Sequence, residues 1–376
     1  MRIAMIIDLF YPYQLGGAER QFFELAKRLA KRHEIHVFTL KLRGCKTEEN
    51  FRGIKIHRVG IPHPLDRRSV IPLLSFYPFV LFSLLKNFRR FDVIHANQAA
   101  ALLSFFLGIS TKPFIATIHD LYLNRWREFH AAIPLLGRML EFLICRGKYA
   151  LVLTVSAYSA KKLLNCGMKN IVIVPNGIEL KKFKGRMKKE DRVVYLGRLV
   201  RYKHVDTLIR AAKLVQERMK GRNVKLVIIG EGEERRKLEK LAEKLRCNCE
   251  FLGFVSEKRK IHELKRAKIF CSLSSIEGFG ISLLEAFASG NAAVVRDLPC
   301  YREFAPKNCA IFLSNKEADD PKIVAEKIIK LLTDKHLAKK YAESARKLAK
   351  HYDWDKIASY IEKIYERAAR SAGEQR

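Results

Sequence analysis

The segment "SSIEGFGISLLEAFASG", Ser274–Gly290, carries two carboxylates eight positions apart, Glu277 and Glu285, with a glycine-bracketed turn between them. Paired carboxylates can act as acid and base, hold a metal, or grip hydroxyl groups. Ser272–Ser275 read as the end of a buried strand and Ile281 as the start of a helix, so Glu277 lies in the loop and Glu285 about one turn into the helix. Placed so differently, the two should do different jobs. Acid/base cleavage of a glycosidic bond needs two carboxyls flanking that bond, which this layout does not obviously supply. A metal would want more ligands than the segment contains. The turn itself offers another chemistry. Gly278 and Gly280 flank Phe279 and let backbone approach a ligand. The N–H groups of Phe279, Gly280 and Ile281 point outward at a helix start, where a partial positive charge favours an anion. The plainer alternative is a strand-turn-helix with a glutamate on its surface.

Other residues sit at comparable addresses. In "PYQLGGAERQ", Gly16 and Gly17 fall between a first strand and a first helix, where a phosphate or sugar could meet the backbone; the third glycine of a dinucleotide fingerprint is missing. "LGRLVRYKH" places Arg198 and Lys203 just past a strand, a pair of cations suited to a pyrophosphate, although cations are common in a chain with 72 Lys and Arg. "IATIHD" puts His119 at the carboxyl end of a strand, and His95 in "VIHANQ" has a similar address with weaker support. "VIIGEGEER" has Arg235 where a dinucleotide turn would have its third glycine, so Gly230 and Gly232 read as a tight strand-to-helix turn. "DWD", Asp353–Asp355, follows one helix and begins another, which makes Asp353 a helix cap rather than a metal ligand.

The elements that must position these residues alternate along the whole chain. Near-continuous apolar strands such as "RIAMIID", "IHVFTL", "VIHA", "FIATIHD" and "ALVLTVS" suit a parallel sheet covered on both faces. After the basic stretch "PNGIELKKFKGRMKKEDR" the alternation restarts with "RVVYLGRL", "VKLVIIG", "CEFLGFV", "IFCSLS" and "AAVVR", with helical segments between them. This predicts two Rossmann-like, doubly wound α/β domains, 1–173 and 174–352, facing across a cleft. The helix from 353 to 370 carries an apolar stripe of Trp354, Ile357, Ile361 and Ile364 that should pack back on the N-terminal domain, with a frayed end from Arg370.

Composition narrows the partners. Net charge is +33, divided as +15 up to Ile171 (26 Lys/Arg against 11 Asp/Glu) and +18 beyond it. A charge this dispersed attracts anions generally, but no nucleic-acid recognition motif accompanies it. The eight cysteines show no CxxC spacing, which favours a reducing, cytoplasmic setting. The N-terminal apolar run is short and ended by Asp8, unlike a secretory leader. "VIPLLSFYPFVLFSLLKNFRRF", from Val70, is interrupted by Pro72 and Pro78 and followed by Lys86, Arg89 and Arg90. It reads either as a buried helix or as one lying on an anionic membrane surface, peripheral to the inner face of the cell membrane.

Taken in order, "GGAERQFFELAKRLAKRHEIHVFT", "TVSAYSAKKL", "VPNGIELKKF", "YLGRLVRYKHVDTLIRA" and "EGFGISLLEAFASG" resemble the GT-B-fold retaining glycosyltransferases of family 4 (glycosyl transferases group 1) over nearly the full chain. The resemblance implies a hexosyl-type transferase acting in cell-envelope glycan synthesis. It would use a UDP- or GDP-linked sugar as co-substrate, a glycan or lipid-linked acceptor, and neither a required cofactor nor a metal. It implies Glu277 and His119 at the reacting sugar and Arg198 and Lys203 on the diphosphate. Phe279, Gly280 and Ile281 would hold sugar and phosphate through their backbone, and Gly16 and Gly17 would close the phosphate side. Glu285 would take the ribose, and Phe254 and Val255 would frame the base. Departures are His204 where glycine often follows the lysine, Ala292 in place of a frequent proline, and Cys300 in place of a frequent glycine near the donor-pocket rim. A sugar-nucleotide epimerase or a phosphorylase of the same fold is the alternative, although no pyridoxal-lysine context is found; a polyanion-binding protein is a more distant one.

Overall fold

The computed structural model describes every residue except 14–15, 65–70, 88–89, 108–111, 123–133 and 375–376. The chain forms two compact units, Met1–Gly177 with Trp354–Arg376, and Ile178–Asp353. In the first, the strands are β1 (Arg2–Ile6), β2 (Glu34–Leu42), β3 (Glu48–Phe51), β4 (Ile54–His63), β5 (Val93–Asn97), β6 (Phe114–Thr117), β7 (Leu151–Thr154) and β8 (Ile171–Ile173). They form one sheet in the order β3-β4-β2-β1-β5-β6-β7-β8. All pairs are parallel except β3 with β4, an edge pairing that the polar "EENF" did not announce. The helices are α1 (Gly17–Leu29), α2 (Ile71–Asn87), α3 (Ser104–Leu107), α4 (Pro134–Cys145) and α5 (Ala157–Asn165).

Alternation along the strands sends side chains to two cores. Ile3 and Met5 of β1 join α1 and the C-terminal helix Trp354–Glu374 on one face. Ala4 and Ile6 join Phe76, Val80 and Leu84 of α2 on the other. The expected stripe is therefore an inward face, and the helix continues through Arg370 to Glu374 instead of fraying there. Gly177 leaves room for it: a Cβ there would lie 2.8 Å from both Trp354 and Ile357. Asp355, in its first turn, pairs with Arg28 at 2.6 Å. The segment after Val70 forms the expected helix. Pro78 lies inside α2 without ending it, because burial of Phe76, Val80 and Leu84 outweighs one lost backbone bond. Val70 and Arg89 fall outside the described residues.

His95 is a core residue. It is fully buried, with Nδ1 bonded to the Tyr365 hydroxyl of the C-terminal helix and Nε2 to the Thr117 hydroxyl at 2.7 Å. Burial, and secondarily the nearby His119, pushes its pKa down to about 3. The unfolded chain takes up that proton near pH 6.5 and the folded chain does not, so stability falls as pH drops below that value. By pH 5 the loss from this one group is about 2 kcal/mol. Urea unfolding at pH 7 and pH 5 should therefore show a smaller acid-induced loss in His95→Gln than in the parent, by about that amount. An identical pH dependence would contradict this account.

The second unit has a six-stranded, wholly parallel sheet in the order β11-β10-β9-β12-β13-β14. Its strands are β9 (Glu190–Leu196), β10 (Lys225–Ile229), β11 (Cys249–Gly253), β12 (Ala267–Ser272), β13 (Ala292–Arg296) and β14 (Ile311–Leu313). Its helices are α6 (Val205–Arg218), α7 (Arg235–Lys244), α8 (Glu257–Arg266), α9 (Ile281–Ala288), α10 (Pro299–Phe304), α11 (Asn315–Asp319), α12 (Pro321–Thr333) and α13 (Lys335–Ala349). α6, α7 and α12 bury Leu208, Leu238 and Ile328 against one face of the sheet, while α8 packs on β9 and β12, and α9 on β12 and β13. β14 and the four helices from α10 to α13 extend the alternation beyond "AAVVR". Ser314 and Glu317 close a capping box on α11, and Asp320 and Asp334 cap the two helices that follow.

His204 lies between a 3-10 turn, Arg201–Lys203, and α6, with φ 50° and ψ 41°. That left-handed conformation explains why a glycine suits the position, and a β-carbon there costs about 1 kcal/mol. His204→Gly should raise the melting temperature of the unit by about 2–4 °C, read by calorimetry; a lower melting temperature would show that the imidazole contributes more than its backbone costs.

Candidate functional site

The order of strands in the second unit reverses at β9, whose neighbours β10 and β12 lead to opposite edges. A crevice opens beyond the carboxyl ends of strands at such a point, because the following helices turn to opposite faces. The residues singled out at positions 198, 203, 277, 279–281 and 285 all lie on the turns or helices that follow β9 and β12.

Leaving β9, the chain is held by buried Tyr195, whose hydroxyl donates to the Arg198 carbonyl at 2.9 Å. Arg198 Nη2 donates to the Tyr202 hydroxyl at 2.9 Å. The turn after β10 presses against this one: a Cβ on Gly230 would lie 1.9 Å from the Gly197 oxygen, and one on Gly232 2.1 Å from that of Leu199. These two glycines serve close backbone packing, as the sequence suggested.

Leaving β12, Ser275 donates its N–H to the Tyr202 carbonyl at 2.9 Å, tying the second turn to the first. Lys203 Nζ donates to Glu277 Oε1 at 2.5 Å. Gly280 has φ 101°, and a Cβ on it would lie 2.2 Å from the Tyr301 ring. Tyr301 is fully buried, and its hydroxyl is 3.5 Å from the same Glu277 oxygen. The Phe279 ring turns inward and stacks on Phe304 at 5.0 Å, so it belongs to the packing beneath the turn. Ile281 opens α9. Glu285, 2% exposed, accepts from Lys260 Nζ of α8 at 2.7 Å, and Lys260 also pairs with Glu257 at 2.8 Å. The two glutamates are thus held by different cations and do not form a matched pair.

Phe254 and Val255 follow β11, and Phe254 is 75% exposed. In the first unit, Gly16 and Gly17 are exposed at the start of α1, after β1. Gly16 has an extended backbone, φ −152°, with the Glu19 carboxylate folded against it. His119 follows β6; its N–H donates to Gln98 Oε1 at 3.1 Å, and its Nε2 lies 3.4 Å from Asn97 Nδ2. Burial lowers its pKa to about 4, so at neutral pH it offers hydrogen bonds and no charge. Cys300 and Ala292 are both 1% exposed. Cys300 is therefore part of the core beside Tyr301. Lys260 and Tyr301 were not anticipated: Lys260 is one of many cations in "SEKRKIHELKRA", and Tyr301 has no distinguishing spacing.

Residues 15–182 match the model described as Glycosyltransferase Family 4, and 177–348 match Glycosyl transferases group 1. A phosphatidyl-myo-inositol mannosyltransferase of Mycobacterium tuberculosis is 27% identical over 99% of this chain and 98% of its own length. Sucrose-phosphate synthase from Thermosynechococcus elongatus superposes with a TM-score of 0.86 at 19% identity, covering 98% of this chain and 99% of that one. HepE of Anabaena, solved with UDP and glucose, gives 0.75 at 17% identity, covering 97% and 99%. The two structural likenesses establish the GT-B fold. Because the two family models meet at residues 177–182, where one unit passes to the next, and together leave only the chain's ends unmatched, this chain belongs to the family 4, group 1 glycosyltransferases.

Proposed function

We propose that the enzyme transfers a hexosyl group, with retention, from a UDP- or GDP-linked donor to a glycan or lipid-linked acceptor. The observation that carries this reading is the Lys203–Glu277 pair, a cation and a carboxylate held beside the Gly280 turn that opens α9. In this scheme Arg198, Lys203 and the N–H groups of Phe279–Ile281 take the diphosphate. Glu285 accepts from the ribose hydroxyls, Phe254 and Val255 frame the base, and Glu277 and His119 bind hydroxyls of the transferred sugar. Gly16 and Gly17 admit the phosphate side.

Cleavage of the sugar C1–O bond leaves negative charge on the diphosphate, and fixed cations and amides stabilise it without reorganising. The acceptor hydroxyl attacks C1 from the leaving-group face and passes its proton to the departing phosphate oxygen. Glu277, held by Lys203, binds and does not attack. The scheme calls for no resident metal or cofactor. The mannosyltransferase likeness and the UDP complex of the Anabaena neighbour support the nucleotide sugar and a lipid-linked acceptor. The +33 charge fits a cytoplasmic enzyme working at the membrane in cell-envelope glycan synthesis.

A thermal-shift series with UDP, GDP, UDP-glucose and GDP-mannose tests the donor side, since a ligand of the native state raises its melting point. At least one diphosphate should stabilise the protein, and Glu285→Ala should weaken that ligand about 10–100-fold. Arg198→Ala should weaken the diphosphate more than the matching monophosphate. Silence of the whole series would sink the reading, and an unchanged Glu285→Ala would sink the ribose assignment. Slow donor hydrolysis followed by NMR should release first the anomer that the donor carries; the opposite anomer would overturn retention.

A further inference from the structure

We propose that the outer side of α2, α3 and α4 is the surface on which this enzyme lies against an anionic lipid bilayer. The proposal builds on the lipid-linked-acceptor reading and assigns it to one face of the first unit. α2 and α4 both pack on the 3-10 helix Gln98–Leu103, which runs directly into α3. Their inward residues, Phe76, Val80, Leu103 and Leu107 with Ile144 beyond, cover the sheet face opposite to α1.

The outward residues of the same helices are apolar as well. On α2, Phe79, Phe82 and Leu85 are 50, 71 and 57% exposed. Phe105 and Phe106 of α3 are exposed, as are Leu135, Met139 and Phe142 of α4. These are eight of the fourteen large apolar side chains exposed among the described residues, a concentration that scattered surface hydrophobics do not explain.

Charge identifies the occupant. Lys86, Arg90, Arg138, Arg146 and Lys148 are exposed on or beside these helices. The Arg146 guanidinium lies 3.7 Å from the centre of the Phe142 ring. The one carboxylate within α2, α4 and the segment 98–107 is Glu141, 3% exposed, with Oε1 accepting from the Tyr122 N–H at 2.6 Å. Aromatic and aliphatic side chains mixed with cations, with no exposed carboxylate among the described residues of these helices, match the acyl boundary and headgroups of an anionic leaflet. Among the described residues no helix is long and apolar enough to cross a membrane, so the contact is made along the interface. A lipid-linked acceptor would then be met within the plane of the bilayer.

The test is flotation of the full chain with vesicles of phosphatidylcholine alone or mixed with phosphatidylglycerol. Wild type should favour the mixed vesicles. The triple variant Phe82→Ser, Phe106→Ser, Leu135→Ser should lower partitioning by about tenfold or more, and Lys86→Glu, Arg138→Glu, Arg146→Glu should abolish the preference for phosphatidylglycerol. Lys316→Glu, Lys322→Glu, Lys330→Glu, three exchanges on the second unit, should leave it intact. Equal loss in that control would assign binding to overall charge and overturn the proposal. Unchanged partitioning of the serine variant would do the same, and so would sedimentation showing that the face pairs two copies of the chain. Nucleotide thermal shifts on the same variants separate the two readings. Normal shifts without vesicle binding sink only the docking face; vesicle binding by a wild type that ignores every nucleotide sinks only the donor reading.

Discussion

The second unit's site depends on one contact, the backbone of Gly280 resting on the buried ring of Tyr301. A single added carbon at Gly280 would fall 2.2 Å from that ring, and rigid packing around Tyr301 leaves it little room to yield. Gly280 itself is held at φ 101°, a left-handed conformation that glycine adopts without strain. That conformation accompanies the stacking of Phe279 on Phe304 and opens α9. It also brings Glu277 to the Tyr301 hydroxyl and to Lys203.

A second constraint works at the neighbouring strands. The turns after β9 and β10 lie so close that Gly230 and Gly232 touch carbonyl oxygens of the first turn, which Tyr195 grips from below. Arg198 is thus displayed from a turn fixed on two sides, and the bond from Ser275 to Tyr202 fixes that turn to the Gly280 loop. Cations and carboxylates are placed by backbone packing, so the electrostatics of the site are set in advance of any ligand.

Much of this was legible in the residues. Buried parallel strands announce themselves as unbroken apolar runs, and the glycines of the Gly280 and Gly230 turns mark where backbone must approach backbone or ligand. What escaped was whatever lacks a period or a breaker. β3 is short and polar at a sheet edge, β14 has three residues, and Lys260 is hidden among equivalent cations until the fold brings α8 beside α9. α2 is legible as a helix, and burial on one side carries it through Pro78. The outward apolar faces of α3 and α4 could not be separated from core, since hydropathy does not say which way a side chain points.

The C-terminal helix has a consequence for biosynthesis. Trp354, Ile361 and Tyr365 complete the core that Ile3, Met5 and Phe22 begin, so the first unit lacks one wall until the C-terminal helix, Trp354–Glu374, has been made. Translation delivers the whole of the second unit, Ile178–Asp353, in between. Domains fold as they are made, and here the order of completion is reversed: the second unit can close while the first still waits with an apolar sheet face uncovered. A ribosome stalled before Trp354 would leave a finished second unit tethered to an unfinished first one, a species that invites chaperones and proteases.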